Sequence, residues 1–150
     1  MFVGGDSSAC EDLLAAISAR RIPVGPAGMG ARAKLAINLV LGLNRAALAE
    51  GMAFAESVGI GRRQFLEMYR ASPAASPAAL AKGEKMVTGD YGPESRIRQH
   101  LKDVQHIRRY ARTALPLTTA HEELLNDAVA AGNGDLDNAA IILQYTRNQS

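Results

Sequence analysis

Residues 31–58 contain no proline and are almost continuously apolar, and no other feature constrains the fold as much. A run of that length without a breaker reads as a single long helix, and its nearly all-round apolar surface predicts burial on most sides. An exit turn follows over 57–61, with Gly59 and Gly61 as caps. Beyond it the pattern stays helical. A helix over 62–70 is broken by Ser72-Pro73 and Ser76-Pro77, and the next runs over 77–86 with proline at its start. A loop over 89–93 leads into a helix over 94–115, whose stripe is 97, 101, 104, 108, 111 and 115 and which Pro116 stops. A helix over 119–131, a Gly132-Asn133-Gly134 turn and a last helix, capped by Asp135 or Asp137 and ending near Arg147, complete the chain.

The front of the chain has a different texture. Phe2-Val3 runs into Gly4-Gly5-Asp6 as a short strand and turn. Ser7 or Ser8 then caps a helix to about Ala19, with Glu11 placed to complete a capping box from Ser8. Residues 21–24 form a second short strand that Gly25-Pro26 ends. Two short strands and one helix cannot bury both faces of a sheet, so this β-α-β segment calls for further strands. The expected architecture is mainly α, with residues 1–27 as an incomplete β-α-β segment and 28–150 as a helical domain.

Composition narrows the function classes. The formal charge of +2 gives little electrostatic steering. Six basic residues fall in 94–112, but acids elsewhere nearly balance them and only Tyr110 interleaves, so no nucleic-acid partner is expected. The start MFVGGDSS has no basic segment and no long apolar core, so it does not read as a signal peptide. LAINLVLGL is flanked by Lys34 and Arg45 and is too short to span a membrane. The single cysteine, Cys10, excludes an intrachain disulfide, fits a reducing cytoplasm and reads as a small packed residue. His100, His106 and His121 lack metal-ligand spacing, so no metal is expected and they read as surface or capping residues.

The stretch Gly25-Pro26-Ala27-Gly28-Met29-Gly30-Ala31-Arg32-Ala33-Lys34-Leu35-Ala36-Ile37-Asn38 carries the chemistry. Its glycines permit a tight entry into the long helix. Lys34 and Asn38 are four apart and share a helix face, and their line continues through Leu41 or Gly42 to Arg45. Burial among apolar groups can lower a lysine pKa; the neutral amine then takes a proton from a hydroxyl and the ammonium returns it to a carbonyl. On spacing alone, a solvated polar line explains the same residues. A solvated face likewise explains Lys102 and Asp103 within the charged helix RIRQHLKDVQHIRR.

The pattern G-x-x-G-x-G-x-x-x-K-x-x-x-N after a strand ending in V-G resembles the start of the C-terminal domain of β-hydroxyacid dehydrogenases, the 3-hydroxyisobutyrate dehydrogenase type. FVGGD, the first helix and RIPVG look like the last β-α-β of that family's Rossmann cofactor domain, and GDLDNAAIILQYTR looks like its closing helix. The resemblance implies an all-α, 6-phosphogluconate dehydrogenase-like C-terminal domain behind that remnant. It implies that Lys34 is the catalytic acid/base, that Asn38 and Gly30 bind substrate, and that Lys102 and Asp103 sit by the cofactor, NAD or NADP. It also implies a small hydroxyacid substrate and a homodimer formed through the helical domain. Lys34 separates the chain from imine reductases, and the helical domain is much shorter than that of 6-phosphogluconate dehydrogenases. The family usually has an aromatic residue eight positions before the Asp, where this chain has Ser95. The family's glycine-rich fingerprint and Ser-Gly-Gly segment have no counterpart in the chain, which is therefore expected to hold the cofactor weakly and to be inactive alone. The alternative reading is a non-catalytic helical module for dimerisation or small-ligand binding.

Overall fold

The computed structural model describes residues 1–146. The elements are β1 (Phe2–Val3), α1 (Glu11–Ile17), β2 (Ile22–Pro23), α2 (Met29–Ser57), α3 (Arg62–Ala71), α4 (Pro77–Thr88), α5 (Ile97–Tyr110), α6 (Pro116–Ala130) and α7 (Leu143–Thr146), with 3-10 segments at Ser8–Cys10 and Asn138–Ile142. They fall into two compact units that divide within α2, Met1–Asn38 and the residues from Leu39 onward.

The first unit is a parallel strand pair with register Phe2↔Ile22 and Val3↔Pro23. Backbone bonds from Ile22 N to Met1 O (2.9 Å), Val24 N to Val3 O (2.9 Å) and Gly5 N to Gly25 O (2.8 Å) extend the pairing beyond the named strands. The expected capping box does not form. Asp6 Oδ1 instead accepts from Ser8 N, and Glu11 pairs with the Arg21 guanidinium at 2.6 Å. The helix ends at Ile17 rather than Ala19, and no residue of it is buried. Leu13 and Ile17 are 67% and 74% exposed, and Cys10 is exposed rather than packed. Two strands supply too little surface to cover the apolar side of one helix.

α2 has 29 residues, about 43 Å at 1.5 Å per residue. It matches the expected helix within two residues at its start and one at its end, but its burial is one-sided. Gly42, Ala46, Leu48, Ala49, Met52, Ala53 and Ala55 are buried, whereas Ile37, Val40, Phe54 and Val58 are exposed. The buried face is built largely from small residues, which lets neighbouring helices come close. Gly59, at φ +91°, ends the helix with Ile60 N donating to Ala55 O at 2.9 Å. Gly61 does not cap this helix; it is the extended residue before α3.

The second unit packs α3 to α7 on α2 around Leu48, Met52, Leu66, Met86, Ile97, Val104, Leu125, Ile141 and Ile142. Ser76 caps α4 by accepting from Ala79 N, with Pro77 in the first turn. α5 is shorter than expected at both ends. Residues 94 and 95 form a bend and Arg96 is extended, with Glu94 N and Ser95 N donating to Asp137 Oδ2 at 3.0 and 3.2 Å. At the other end Ala111 is extended, and Pro116 opens α6 instead of stopping α5. The buried stripe is Ile97, His100, Val104 and Ile107, so it is rotated from the expected 97, 101, 104, 108 line. Arg108 pairs on the surface with Glu122. Of the two candidate caps for the closing segment, Asp137 is the one used, accepting from Ala139 N; Asp135 pairs with Arg98. The expected helix end at Arg147 lies outside the described residues.

Two histidines depart from expectation. His100 and His121 are buried, 7% and 5% exposed, and their Nε2 atoms are 3.0 Å apart. Both fall on the core stripes of their helices, so helical spacing, not surface chemistry, decides where they go. Burial pushes His100 down to about 3, with the neighbouring His121 and Arg45 adding to it. Burial, then Arg45, pushes His121 down to about 4. Both folded values lie below the ordinary 6.5, so the unfolded chain takes up protons first as the pH falls. Stability is therefore complete above about 6.5 and declines below it, by on the order of 2 kcal/mol per histidine at pH 5. Urea midpoints are expected to fall between pH 7 and pH 5 and to flatten in His100→Phe; a flat wild-type profile over that window contradicts the assignment.

Candidate functional site

Gly30, Lys34 and Asn38 occupy successive turns at the start of α2, about 6 Å apart along its axis. Gly28 at φ +86° makes the turn into this helix, with Met29 N donating to Pro26 O at 3.0 Å. Gly30 is half-buried for a packing reason. A Cβ there would lie 3.0 Å from Phe2 O and 3.3 Å from Gly4 N, and one on Gly4 would lie 2.7 Å from Gly30 N. These two glycines let the end of β1 touch the first turn of α2. Lys34 is exposed and Asn38 is half-buried, so the chain presents a primary amine with a carboxamide one turn away on one face.

Lys102 is exposed and Asp103 half-buried on α5, in the second unit, whereas Gly30, Lys34 and Asn38 belong to the first. Ser95 takes a structural role: its Oγ is 2.9 Å from Asn138 Nδ2, and its backbone N–H goes to Asp137. The polar line of α2 runs on through Gly42 and Arg45. There it meets the histidine pair rather than solvent, since a Cβ on Gly42 would collide with His100 Nε2 and lie 2.6 Å from its Cε1.

The residues that sequence reasoning missed are His100, His121 and Lys82. Lys82 is buried, donating to Asp137 Oδ2 at 2.9 Å and to Glu94 Oε2 at 2.8 Å. Spacing held the signal: Ala79, Lys82, Gly83 and Met86 make one buried stripe, and a charge on such a stripe requires a partner. Among the described residues no three His, Cys, Asp or Glu cluster to hold a metal ion, and no helix is long and apolar enough to cross a membrane.

Gly4 and Gly5 do not form an open cradle for a pyrophosphate. The space beside Gly4 is filled by the backbone of 26–30, and Gly5 faces Ala27. Lys34 and Asn38 place an amine and an amide on one face of α2.

An all-helical unit behind a parallel strand pair, with Lys and Asn one turn apart on the connecting helix, has the features of the C-terminal domain of a hydroxyacid dehydrogenase. The chain belongs to the family described as the NAD-binding domain of NADP-dependent 3-hydroxyisobutyrate dehydrogenase, whose model matches residues 28–145. It is 32% identical over 138 residues to a probable 3-hydroxyisobutyrate dehydrogenase-like protein of Arabidopsis thaliana, covering 91% of this chain and 46% of the relative. It is 25% identical over 138 residues to the cytokine-like nuclear factor N-PAC of Aedes aegypti, covering 90% of this chain and 25% of the relative. The crystal structure of a 3-hydroxyisobutyrate dehydrogenase from Salmonella typhimurium is similar with a TM-score of 0.88 and 26% identity, covering 93% of this chain and 51% of that one. The chain thus spans about half the length, or less, of the proteins it matches.

Proposed function

We propose that this chain supplies the substrate side of an NAD(P)-dependent dehydrogenase acting on a small 3-hydroxyacid or the matching semialdehyde, and that it needs a cofactor domain to turn over. The observation that carries this reading is Lys34 and Asn38 on one face of α2, within the segment the family model matches. The bound nicotinamide supplies hydride transfer at the carbinol carbon. Lys34 as neutral amine accepts the hydroxyl proton, and as ammonium returns it in the reverse direction. Asn38 holds the same oxygen through its amide N–H and so fixes the reacting carbon. Lys102 and Asp103 serve the cofactor, and Gly30 serves the substrate through its backbone in the first turn of α2. The single free cysteine supports a reducing compartment such as the cytoplasm.

Complementation tests the reading. The chain is joined to, or co-purified with, a family cofactor domain and assayed with 3-hydroxyisobutyrate and either NAD or NADP. The expected result is turnover that Lys34→Ala lowers by about 10²–10⁴-fold. A soluble complex that binds cofactor but does not turn over, or one indifferent to Lys34→Ala, contradicts it.

A second property, pairing of two copies, is supported by α2. Val40, Phe54 and Val58 are exposed on it, and Ala47 sits between them at seven-residue steps. Sedimentation is expected to give a dimer for the wild type and a monomer for Val40→Arg/Phe54→Arg. A wild-type monomer at tens of micromolar, or a variant that stays dimeric, opposes a dimer through this face.

A further inference from the structure

The turn Gly132-Asn133-Gly134, between α6 and the closing segment, takes no part in the chemistry above, and it holds the chain's single Asn-Gly step. Its backbone is anchored on both sides. Gly132 turns at φ +84°, Asn133 N donates to Ala128 O at 2.9 Å, and Leu136 N donates to Asn133 O at 3.1 Å. Gly134 O accepts from Arg98 N at 2.9 Å and Leu136 O from Ile97 N at 3.0 Å. Those two bonds, with the bridge between Arg96 and Asp137, fasten the start of α5 to the closing segment. Between the anchors two groups are unengaged. Among the described residues neither the Asn133 carboxamide nor the Gly134 N–H has a hydrogen-bond partner, and Asn133 is half-buried rather than enclosed.

A carboxamide next to an unbonded N–H can react with it. The Gly134 nitrogen gives up its proton and bonds to Asn133 Cγ. The Cγ–Nδ2 bond breaks, and Nδ2 leaves as ammonia with that proton. The resulting five-membered imide takes up one water at either carbonyl. One opening gives aspartate at 133; the other gives isoaspartate, in which the main chain runs through the side-chain carbon and is one methylene longer. Water is the one co-reactant. Glycine suits this step because no Cβ shields its nitrogen.

The other described asparagines lack these conditions. Asn38, Asn44 and Asn126 lie within α2 and α6, where helical ψ is near −42° and the next N–H is bonded four residues back. Asn138 is 4% exposed, its amide is held by Ser95 Oγ, and the next N–H is donated to Asp137.

We propose that Asn133-Gly134 is a site of spontaneous covalent modification, where deamidation gives aspartate and isoaspartate and the isoaspartate form loosens α5 from the closing segment. The added methylene falls between the anchors, so Gly134 O and Leu136 O can no longer meet Arg98 N and Ile97 N together. The site is independent of the dehydrogenase reading, because none of its residues is Gly30, Lys34, Asn38, Lys102 or Asp103.

The test incubates the full chain at 37 °C at pH 6 and pH 8.5 and follows each asparagine by peptide mass spectrometry. A gain of about 1 Da is expected at Asn133, ahead of Asn38, Asn44, Asn126 and Asn138, and faster at pH 8.5 because the nitrogen reacts after losing its proton. Gly134→Ala is expected to slow it. The added Cβ would lie 3.2 Å from the flexible end of Arg98 and 3.3 Å from Val129 Cγ2. An Asn133 that keeps its amide, or converts no faster than the other four, overturns the proposal, as does a Gly134→Ala variant that converts at the wild-type rate. Should that variant fail to fold, the comparison among the wild-type asparagines decides. The isoaspartate fraction, separated by ion exchange, is expected to unfold about 2–4 °C below the fresh chain, and an equal Tm overturns the loosening.

Discussion

The helical unit hangs on one buried carboxylate. Asp137 is 0% exposed, and its two oxygens accept from Lys82 Nζ, Glu94 N, Ser95 N and Ala139 N, while its own N–H donates to Tyr91 O. Burial alone would raise its pKa; the bonds from Ala139, Lys82, Glu94 and Ser95 outweigh this and hold it below the ordinary carboxylate value. Burial opposes the charge on Lys82 in the same way, and its bonds to Glu94 and Asp137 raise it instead. Through this one side chain, α4, the start of α5 and the closing segment share a junction. The start of α5 then places His100 and Val104, and the closing segment places Ile141 and Ile142 in the core.

Much of this was readable in the residues. The long proline-free run gave a helix at nearly its true limits because helix propensity is unbroken along it, although its burial is one-sided. The parallel strand pair was also legible, since each strand runs into a glycine turn, Gly4-Gly5 or Gly25-Pro26. What misled was local. Pro116 reads equally as a stop for one helix or the first turn of the next, and only the extended backbone at Ala111 separates the two. The α5 stripe was set one residue off because Arg108 has a long apolar stem, while His100 counts as polar. Once the pair forms, the two Nε2 atoms satisfy each other, and a polar residue becomes a core residue. The capping box at Ser8 failed because Glu11 has a stronger partner in Arg21, ten residues away.

The candidate site was legible as a motif but not as an environment. Lys34 and Asn38 do share a face, as their spacing requires, yet Lys34 is exposed in this chain. The same helix changes character along its length. Its first turns pack glycine on strand backbone, its middle meets two imidazoles at Gly42, and its last turns bury alanines and Met52. One element thus carries the Lys34 amine and also the backbone on which the helical unit is assembled.

The dependence on Asp137 is tested most directly by urea unfolding of Asp137→Ala at pH 7. Removing it leaves the buried Lys82 ammonium with only the exposed Glu94 as partner and frees three backbone donors at once, so the account predicts a loss of about 3–5 kcal/mol. A loss under about 1 kcal/mol, with an unchanged slope against urea, would show that the helical unit stands without this junction and that its packing alone sets the geometry.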